Sequence, residues 1–158
     1  MVDYSFSNEE AMARGTYVHT ACGMVDRGTL DWEGLDPVLL PYCEAYAKFC
    51  QDVNPEPFLS EARFDHPQYQ YTGQLDRVYG IGGKVILVDI KTGAVHPAVD
   101  LQVAAYRELP HGQPIAGCRV LYLRNDATYR LVESKDHRRN FNIFLAALTC
   151  VRWRKENL

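Results

Sequence analysis

The sequence predicts an α/β or α+β domain in which a mixed sheet of about five strands is flanked by helices. Segments with helical apolar spacing lie at both ends of the chain. Three strand patterns follow one another between residues 58 and 91, and a further helical segment separates them from two more strands. With 158 residues, one domain spanning 1–158 with a substantial core is expected.

The first two predicted elements are helices. The stretch "SNEE" (7–10) matches a capping box, in which Ser7 caps the helix and Glu10 reaches back to the Ser7 amide. A second helix is predicted from Asp36-Pro37 to about Val53, with a later start if Pro41 delays it. The apolar stripe of the first helix is formed by Ala11, Met12, Gly15, Val18, His19 and Cys22. The apolar face of the second helix is formed by Tyr42, Tyr46, Phe49, Cys50 and Val53.

The strand patterns occupy residues 58–64, 69–81 and 84–91. A helical pattern over 97–109 begins with Pro97, which suits the first turn of a helix. Two more strands are predicted in "GCRVLYLRN" and "ATYRLVES". The chain then continues as a long amphipathic helix over 136–158, whose stripe is Phe141, Phe144, Leu145, Leu148 and Val151.

Composition excludes several classes of protein. No apolar run approaches the ~18 residues that span a bilayer, and the polar start "MVDYSFSNEE" is not typical of a signal peptide. We therefore expect a cytoplasmic location. The five cysteines are odd in number and form no CxxC pair, which argues against a disulfide framework or a zinc finger and predicts reduced thiols in the core.

The net charge of −3 conceals a gradient along the chain. Residues 1–58 carry ten acids and three bases, residues 59–129 seven of each, and residues 130–158 three acids and seven bases. Solvated helix faces explain such a distribution. The alternative is a basic C-terminal surface for a polyanion, with acidic side chains elsewhere gathered around cations.

The turn "IGGK" (81–84) sets the register of the second and third strands. Gly82-Gly83 is a favoured two-residue hairpin loop, so Ile81 faces Lys84 and Val78 faces Leu87. The same register places Asp76 opposite Asp89, with Lys91 on the same face. Two opposed carboxylates repel, and either Lys91 or a divalent cation must compensate them. An ion pair with Lys91 that closes off the sheet is the structural alternative.

Four further residues are candidates for the same site. His19 lies on the apolar stripe of the first helix, either as a hydrogen-bonded core residue or as a metal ligand. Gln102 and Tyr106 are four residues apart on one helix face, which is either an amphipathic boundary or a substrate-binding edge. Glu61 interrupts the strand beside the hairpin and is a candidate third acid.

Together these residues resemble the RecB-like branch of the PD-(D/E)XK nuclease superfamily, which includes phage-type exonucleases. The resemblance runs in order through G-T-Y-V-H (15–19), Glu61, G-Q-L-D (73–76), V-D-I-K-T-G (88–93) and Q-V-A-A-Y (102–106). It implies a restriction-endonuclease-like core. It also implies a metal-dependent DNA nuclease, expected to be an exonuclease, that leaves 5′-phosphates. It also implies an accessory role in recombination, replication or repair, of viral or mobile-element origin, and then a location in the host cytoplasm.

The resemblance implies a role for each matching position. Asp76 and Asp89 would be metal-binding acids, with the backbone carbonyl of Ile90 as a further ligand and His19 binding or orienting a second cation. Lys91 would position or deprotonate the attacking water, while Gln102 and Tyr106 would brace the site and the nucleic acid. The expected cofactor is Mg²⁺ or Mn²⁺, as one or two ions, because oxygen-rich sites take both. An iron–sulfur cluster is not expected, since only Cys118 and Cys150 follow Tyr106.

The expected partner is DNA, single- or double-stranded and bound at its ends, and no membrane is expected. Basic side chains near the C terminus would hold phosphates outside the metal site, namely Arg138, Arg139, Arg152 and Arg154. A homo-oligomer or a recombination partner protein stays open. Two alternatives remain: a catalytically degenerate nuclease fold that binds nucleic acid or assembles with partners, and a structural protein whose polar residues form an ion-pair network.

Overall fold

The computed structural model describes residues 4–158, with side chains from Glu9 onward. Helix α1 spans Tyr4–Asp26 and helix α2 spans Leu40–Val53. Because α1 already begins at Tyr4, Ser7 does not open the helix as the capping box predicted, and the Ser7 side chain lies outside the described residues. Pro41 occupies the first turn of α2, where its missing N–H is tolerated, so that this helix starts later than Pro37.

Five strands and two more helices follow in the predicted order. Their bounds are β1 Glu56–Asp65, β2 Thr72–Ile81, β3 Lys84–Lys91, α3 Ala98–Arg107, β4 Gly117–Leu123, β5 Tyr129–Ser134 and α4 His137–Asn157. The fold is therefore α+β, as predicted. Strand β2 begins later than predicted because residues 66–71 form a turn, in which the Gln70 amide donates a hydrogen bond to the His66 carbonyl over 2.8 Å.

The strands form one mixed sheet in the order β1-β2-β3-β4-β5. All neighbours are antiparallel except β3 and β4, which are parallel and joined through α3. The turn between β2 and β3 uses Gly82 and Gly83 at φ +57° and +74°, a region that glycine adopts without steric cost. The predicted register holds from Ile81–Lys84 to Arg77–Val88.

The sheet is covered by helices on both faces. Helices α1 and α2 pack on one face, where the buried cluster is Val18, Cys22, Tyr42, Ala45, Tyr46, Phe49, Tyr79, Ile86, Val88, Ile90, Leu121 and Leu123. Helix α3 packs on the other face through Val103, and α4 packs outside α3. Each fully buried Leu, Val or Phe side chain contributes ~1.5–3 kcal/mol relative to exposure. The C-terminal end of the central strand β3, which carries Asp89 and Lys91, thus has a fixed position between α1 and α3.

Three predicted core positions are wrong, namely Met12, Cys150 and Val151. Met12 is 69% exposed and Val151 is 51% exposed. Helix α4 contacts the rest of the chain along a narrow stripe that contains Phe141, Phe144 and Leu148, and Arg152 rather than Val151 continues that stripe. Cys150 is exposed on α4, whereas Cys22, Cys43 and Cys118 are buried as expected. Within the described residues, no helix combines the length and apolar character needed to cross a bilayer.

Candidate metal centre and groove

Three metal-ligand side chains from three different elements meet at one end of the sheet. His19 comes from α1, Glu61 from β1 and Asp76 from β2, and one ligand atom of each lies within 4.8 Å of the others. All three residues were predicted as ligands. Asp89 and the Ile90 carbonyl, the other predicted ligands, lie beside this cluster and contact its members or Lys91 instead.

The His19 ring is held from both sides. Its Nε2–H donates to the Ile90 carbonyl over 3.0 Å, and Nδ1 lies 3.2 Å from Asp76 Oδ1 and 3.7 Å from Glu61 Oε1. Burial alone would lower the pKa of His19, but the hydrogen bonds and charges of Asp76 and Glu61 outweigh it and raise that pKa to about 10. Without a metal, His19 is therefore an imidazolium that neutralises the acidic cluster.

Asp76 marks the point where the β2–β3 ladder ends. The ladder continues to Arg77–Val88, one residue short of the predicted Asp76–Asp89 pair. Asp76 is buried, with 7% of the residue exposed, and its Oδ2 accepts a hydrogen bond from the Ile90 amide over 2.6 Å. This bond replaces the next backbone pairing and aims Oδ1 at His19.

Asp89 and Lys91 form the ion contact that the sequence suggested. Lys91 Nζ lies 2.8 Å from Oδ2 of Asp89, whose side chain is only 1% exposed. The Lys91 ammonium is therefore the charged partner of this buried oxygen. Burial, followed by the charge of Asp76, raises the pKa of Asp89 to about 7 against the opposing effect of Lys91.

Glu61 has an unusual backbone for a residue within a strand. Its φ of +48° is in the left-handed region, and the regular β1–β2 pairing resumes on either side at Ser60 and Ala62. Its carboxylate accepts hydrogen bonds from Gln74 Nε2 over 3.0 Å and from Arg77 Nη1 over 2.7 Å. Burial opposes ionisation, but the bonds from His19, Arg77 and Gln74 outweigh it and lower the pKa of Glu61 to about 2. Glu61 is therefore a permanent anion at neutral pH.

Arg77 is the functional residue that the sequence analysis missed. Its side chain is fully buried, and its Nη1 donates to Glu61 Oε1 and to the Asp76 carbonyl over 2.7 and 2.8 Å. Its Nε and Nη2 lie 3.0 and 2.9 Å from Asp26 Oδ2. Arg77 therefore holds two of the three ligand residues. The signal was present in the sequence as an arginine inside the apolar run "LDRVYGI".

The Asp26 carboxylate is in turn fixed by a tyrosine pair. Tyr46 donates a hydrogen bond to Asp26 Oδ1 over 2.7 Å, and its hydroxyl lies 2.6 Å from that of Tyr79. Burial raises the pKa of both hydroxyls far above the physiological range, so they stay protonated and serve as donors. The network extends the ligand cluster into the core between α1 and α2.

Gln102 and Tyr106 stand at the α3 side of the site, as predicted. Gln102 Nε2 donates to the Tyr106 hydroxyl over 2.7 Å. The Tyr106 ring lies so close to β2 that a Cβ atom on Gly73 would come within 2.9 Å of it. Burial raises the pKa of Tyr106, and the charges of Asp89, Asp76 and Glu61 add to this effect. Tyr106 is therefore a neutral group near the acidic cluster.

A groove of about 940 Å³ opens over the cluster. Its floor includes His19, Glu61, Asp76 and Lys91, and Gln102 lies at its α3 side. The α1 wall combines one long apolar side chain with small or short ones and ends at a basic residue just beyond the helix, namely Met12, Gly15, Thr16, Thr20, Gly23 and Arg27. Small residues on this wall leave the ligand atoms accessible to an extended substrate.

The predicted basic contacts on α4 do not line this groove. Arg138, Arg139 and Arg154 are exposed. Arg152 is half-buried, and its Nη2 donates to the carbonyls of Tyr69 and Gln70 over 2.8 and 2.7 Å. Arg152 therefore anchors α4 to the turn before β2, a structural use that the sequence did not indicate.

No model of a known protein family matches this sequence, and no curated protein matches it.

Proposed function

We propose that this chain is a metal-dependent nuclease that hydrolyses phosphodiester bonds with Mg²⁺ or Mn²⁺. The observation that carries the proposal is the convergence of His19, Glu61 and Asp76 within 4.8 Å. One imidazole nitrogen and two carboxylate oxygens are a donor set suited to a hard or borderline divalent cation. The groove above the cluster supports a polymeric substrate rather than a purely structural ion.

A second observation fits a cation at this place. The carboxylate of Asp89 is buried and paired with Lys91 over 2.8 Å, and burial together with the charge of Asp76 still raises the pKa of Asp89 to about 7. A divalent cation would offset the repulsion between the two acids. Asp89 is thus a candidate further ligand beside His19, Glu61 and Asp76.

The residues then take the following roles in the proposed reaction. When bound, the cation would stabilise negative charge on the phosphate and lower the pKa of a coordinated water. Lys91 supplies a positive charge at the groove floor, where it orients the attacking water and offsets charge on the phosphate. Arg77 holds Glu61 and Asp76 in place, and His19 is oriented by the Ile90 carbonyl.

The proposal includes a restriction-endonuclease-like core and DNA as the substrate. The sheet order, the parallel β3–β4 pair and the position of Asp76 and Asp89 where the β2–β3 ladder ends support this assignment. The ordered set of motifs from Gly15 to Tyr106 supports it independently, because each motif supplies a residue of the cluster or of the groove. Action on DNA ends, as an exonuclease, is the more specific part of the proposal.

The test uses purified protein with end-labelled linear and circular DNA, single- and double-stranded, in EDTA, Mg²⁺ or Mn²⁺. Lys91→Ala is the test variant and Lys84→Ala the matched control, since Lys84 lies at the opposite end of β3. We expect metal-dependent cleavage that Lys91→Ala abolishes and Lys84→Ala retains. Loss of linear substrates alone identifies an exonuclease. If the protein binds DNA but cleaves no substrate with either metal, the result contradicts the proposal and favours a catalytically degenerate binding module.

A further inference from the structure

A second cavity lies between the start of β2, α3 and α4, next to the metal groove. It has a volume of about 490 Å³, within the ~300–1,000 Å³ range of small-ligand sites. Its walls are mainly aromatic and aliphatic, formed by Tyr71, Leu101, Ala105, Tyr106, Phe144 and Leu148. None of its lining residues is charged. The cavity therefore suits an apolar or aromatic group and not a phosphate.

The cavity walls contain three aromatic rings, from Tyr71, Tyr106 and Phe144. The Tyr71 hydroxyl donates a hydrogen bond to the Ala105 carbonyl over 2.7 Å, so this polar atom is already satisfied within the protein. The Phe144 ring meets the Tyr71 ring edge-on, with centroids 4.9 Å apart. Gly73 permits the Tyr106 ring to lie against β2, because a Cβ atom there would come within 2.9 Å of that ring. The three rings are thus held in place before any ligand arrives.

The cavity and the metal groove share one lining residue. Gln102 lines both, and its Nε2 donates to the Tyr106 hydroxyl over 2.7 Å. Among the described residues, no other hydrogen bond involves the Gln102 side-chain amide or the Tyr106 hydroxyl. The boundary between groove and cavity therefore offers the Gln102 carbonyl oxygen as an acceptor, and the second Gln102 N–H and the Tyr106 O–H as donors, to the edge of a planar ring.

We propose that this cavity, the base pocket, receives an unpaired nucleobase of the strand whose phosphate lies at the metal centre. The inference rests on the proposed nuclease function and narrows its substrate class to single-stranded DNA or frayed ends. A base inside a duplex cannot enter, because both of its faces are already stacked. Aromatic rings bind a base through its face whatever its sequence, so the pocket favours a strand without selecting a base.

The experiment blocks the base pocket without removing a core side chain. Ala98 lines the pocket but is exposed in the first turn of α3, so Ala98→Phe fills the cavity from its mouth. Ala147→Phe is the matched control, since Ala147 is an exposed alanine within α4 that does not line the pocket. Both substitutions are made in the wild-type chain and in the Lys91→Ala background, which keeps DNA intact during binding.

The readout is the fluorescence of single-stranded oligonucleotides that carry 2-aminopurine at successive positions, in the presence of Mn²⁺. We expect quenching at one position near the bound end, and loss of that quenching in Ala98→Phe but not in Ala147→Phe. The affinity for single-stranded DNA should fall about tenfold with Ala98→Phe, in the range of one base stack. An abasic nucleotide at the quenched position should weaken wild-type binding by a similar factor and leave Ala98→Phe unaffected.

Several results would overturn the inference. If the wild type cleaves DNA but no position is quenched, or Ala98→Phe behaves as Ala147→Phe does, the base pocket is wrong while the nuclease proposal survives. If the wild type cleaves blunt duplexes and single strands equally well, and Ala98→Phe does not change this, the base pocket is again wrong while the nuclease proposal survives. If no variant binds or cleaves DNA while the protein remains folded, the base pocket and the proposed function fail together.

Discussion

His19 changes its charge when it becomes a ligand. Its pKa of about 10 means that the metal-free protein holds an imidazolium at neutral pH, next to Asp76 and Glu61. A metal ligand must be the neutral imidazole, so the cation competes with a proton. We expect about one proton from His19 and a fraction of a further proton from Asp89 to be released per ion bound near pH 7, and metal affinity to rise with pH until the pKa of His19 is passed.

Calorimetry measures this release, because the binding enthalpy in buffers of different ionisation enthalpy changes in proportion to the protons transferred. The variant His19→Ala should lose most of the buffer dependence, keeping only the contribution of Asp89, and bind Mn²⁺ more weakly. An enthalpy that does not depend on the buffer in the wild type would contradict ligation by His19.

Asp89 is a buried acid whose ionisation is disfavoured in the metal-free protein. Its pKa is raised from 3.8 to about 7, so the folded protein binds this proton more tightly than the unfolded chain does. The stability of the metal-free protein should therefore fall as the pH rises from about 4 to 7. Asp89→Asn removes the titrating group, and we expect it to stabilise the metal-free protein at pH 8 by on the order of 1–3 kcal/mol while reducing activity.

Urea unfolding in EDTA at pH 5 and pH 8 tests this expectation in both proteins. The difference between their pH dependences isolates Asp89 from the other titrating groups. Saturating Mn²⁺ should reverse the order of stability, because the ion binds the folded wild type. If Asp89→Asn is instead less stable than the wild type at pH 8 in EDTA, Lys91 fully compensates the charge of the Asp89 carboxylate.

At the scale of elements, β2 and α3 meet through a glycine. The Cβ atom that Gly73→Ala introduces would lie 2.8 Å from Leu109 and 2.9 Å from the Tyr106 ring. Leu109 is buried and cannot move freely. We expect Gly73→Ala to lower the free energy of unfolding by ~1–3 kcal/mol, as overpacked substitutions do, and to displace Tyr106.

Chemical denaturation measures the loss, with Gly93→Ala as the control. A Cβ atom on Gly93 meets nothing within 4 Å, and its φ is not in the left-handed region, so that variant should retain wild-type stability. Equal stabilities of Gly73→Ala and Gly93→Ala would mean that α3 shifts on the sheet at little cost.

The elements themselves follow from local patterns in the sequence. The helix and strand periods, the Gly82-Gly83 turn and the proline at the start of α2 all act over a few residues, and the element order was predicted correctly. The irregular positions were not predicted, among them the left-handed φ of Glu61 and the turn at 66–71. Such positions are stabilised by contacts from other elements, as Arg77 and Gln74 stabilise Glu61.

At the scale of the whole molecule, positive charge on α4 lies outside the metal groove. Arg138 and Arg139 are exposed near the start of α4, while Arg152 is engaged by two backbone carbonyls. If α4 contacts single-stranded DNA, each of the two exposed arginines contributes ~0.7 to the slope of log affinity against log salt concentration. The double variant Arg138→Ala/Arg139→Ala should therefore reduce that slope by ~1.4.

Titrations of a labelled single strand at several salt concentrations measure the slope. Lys84→Ala, at the far end of β3, is the control and should leave it unchanged. Arg152→Ala should instead lower stability, since it removes the bonds to Tyr69 and Gln70. An unchanged slope in the double variant would exclude the start of α4 from the DNA interface.

Local patterns in the sequence sufficed to predict the fold class, the hairpin register and most members of the candidate site. These depend on short-range periodicity and on turn chemistry, and the register brought Asp76 of β2 close to Asp89 of β3. The contacts between the side chains of the site, in contrast, are set by long-range packing. The bond from His19 to Ile90 spans 71 positions and the bond from Arg77 to Asp26 spans 51. No local pattern encodes such contacts, because they depend on how α1 packs against the sheet, and that packing is what turns separate polar residues into one site.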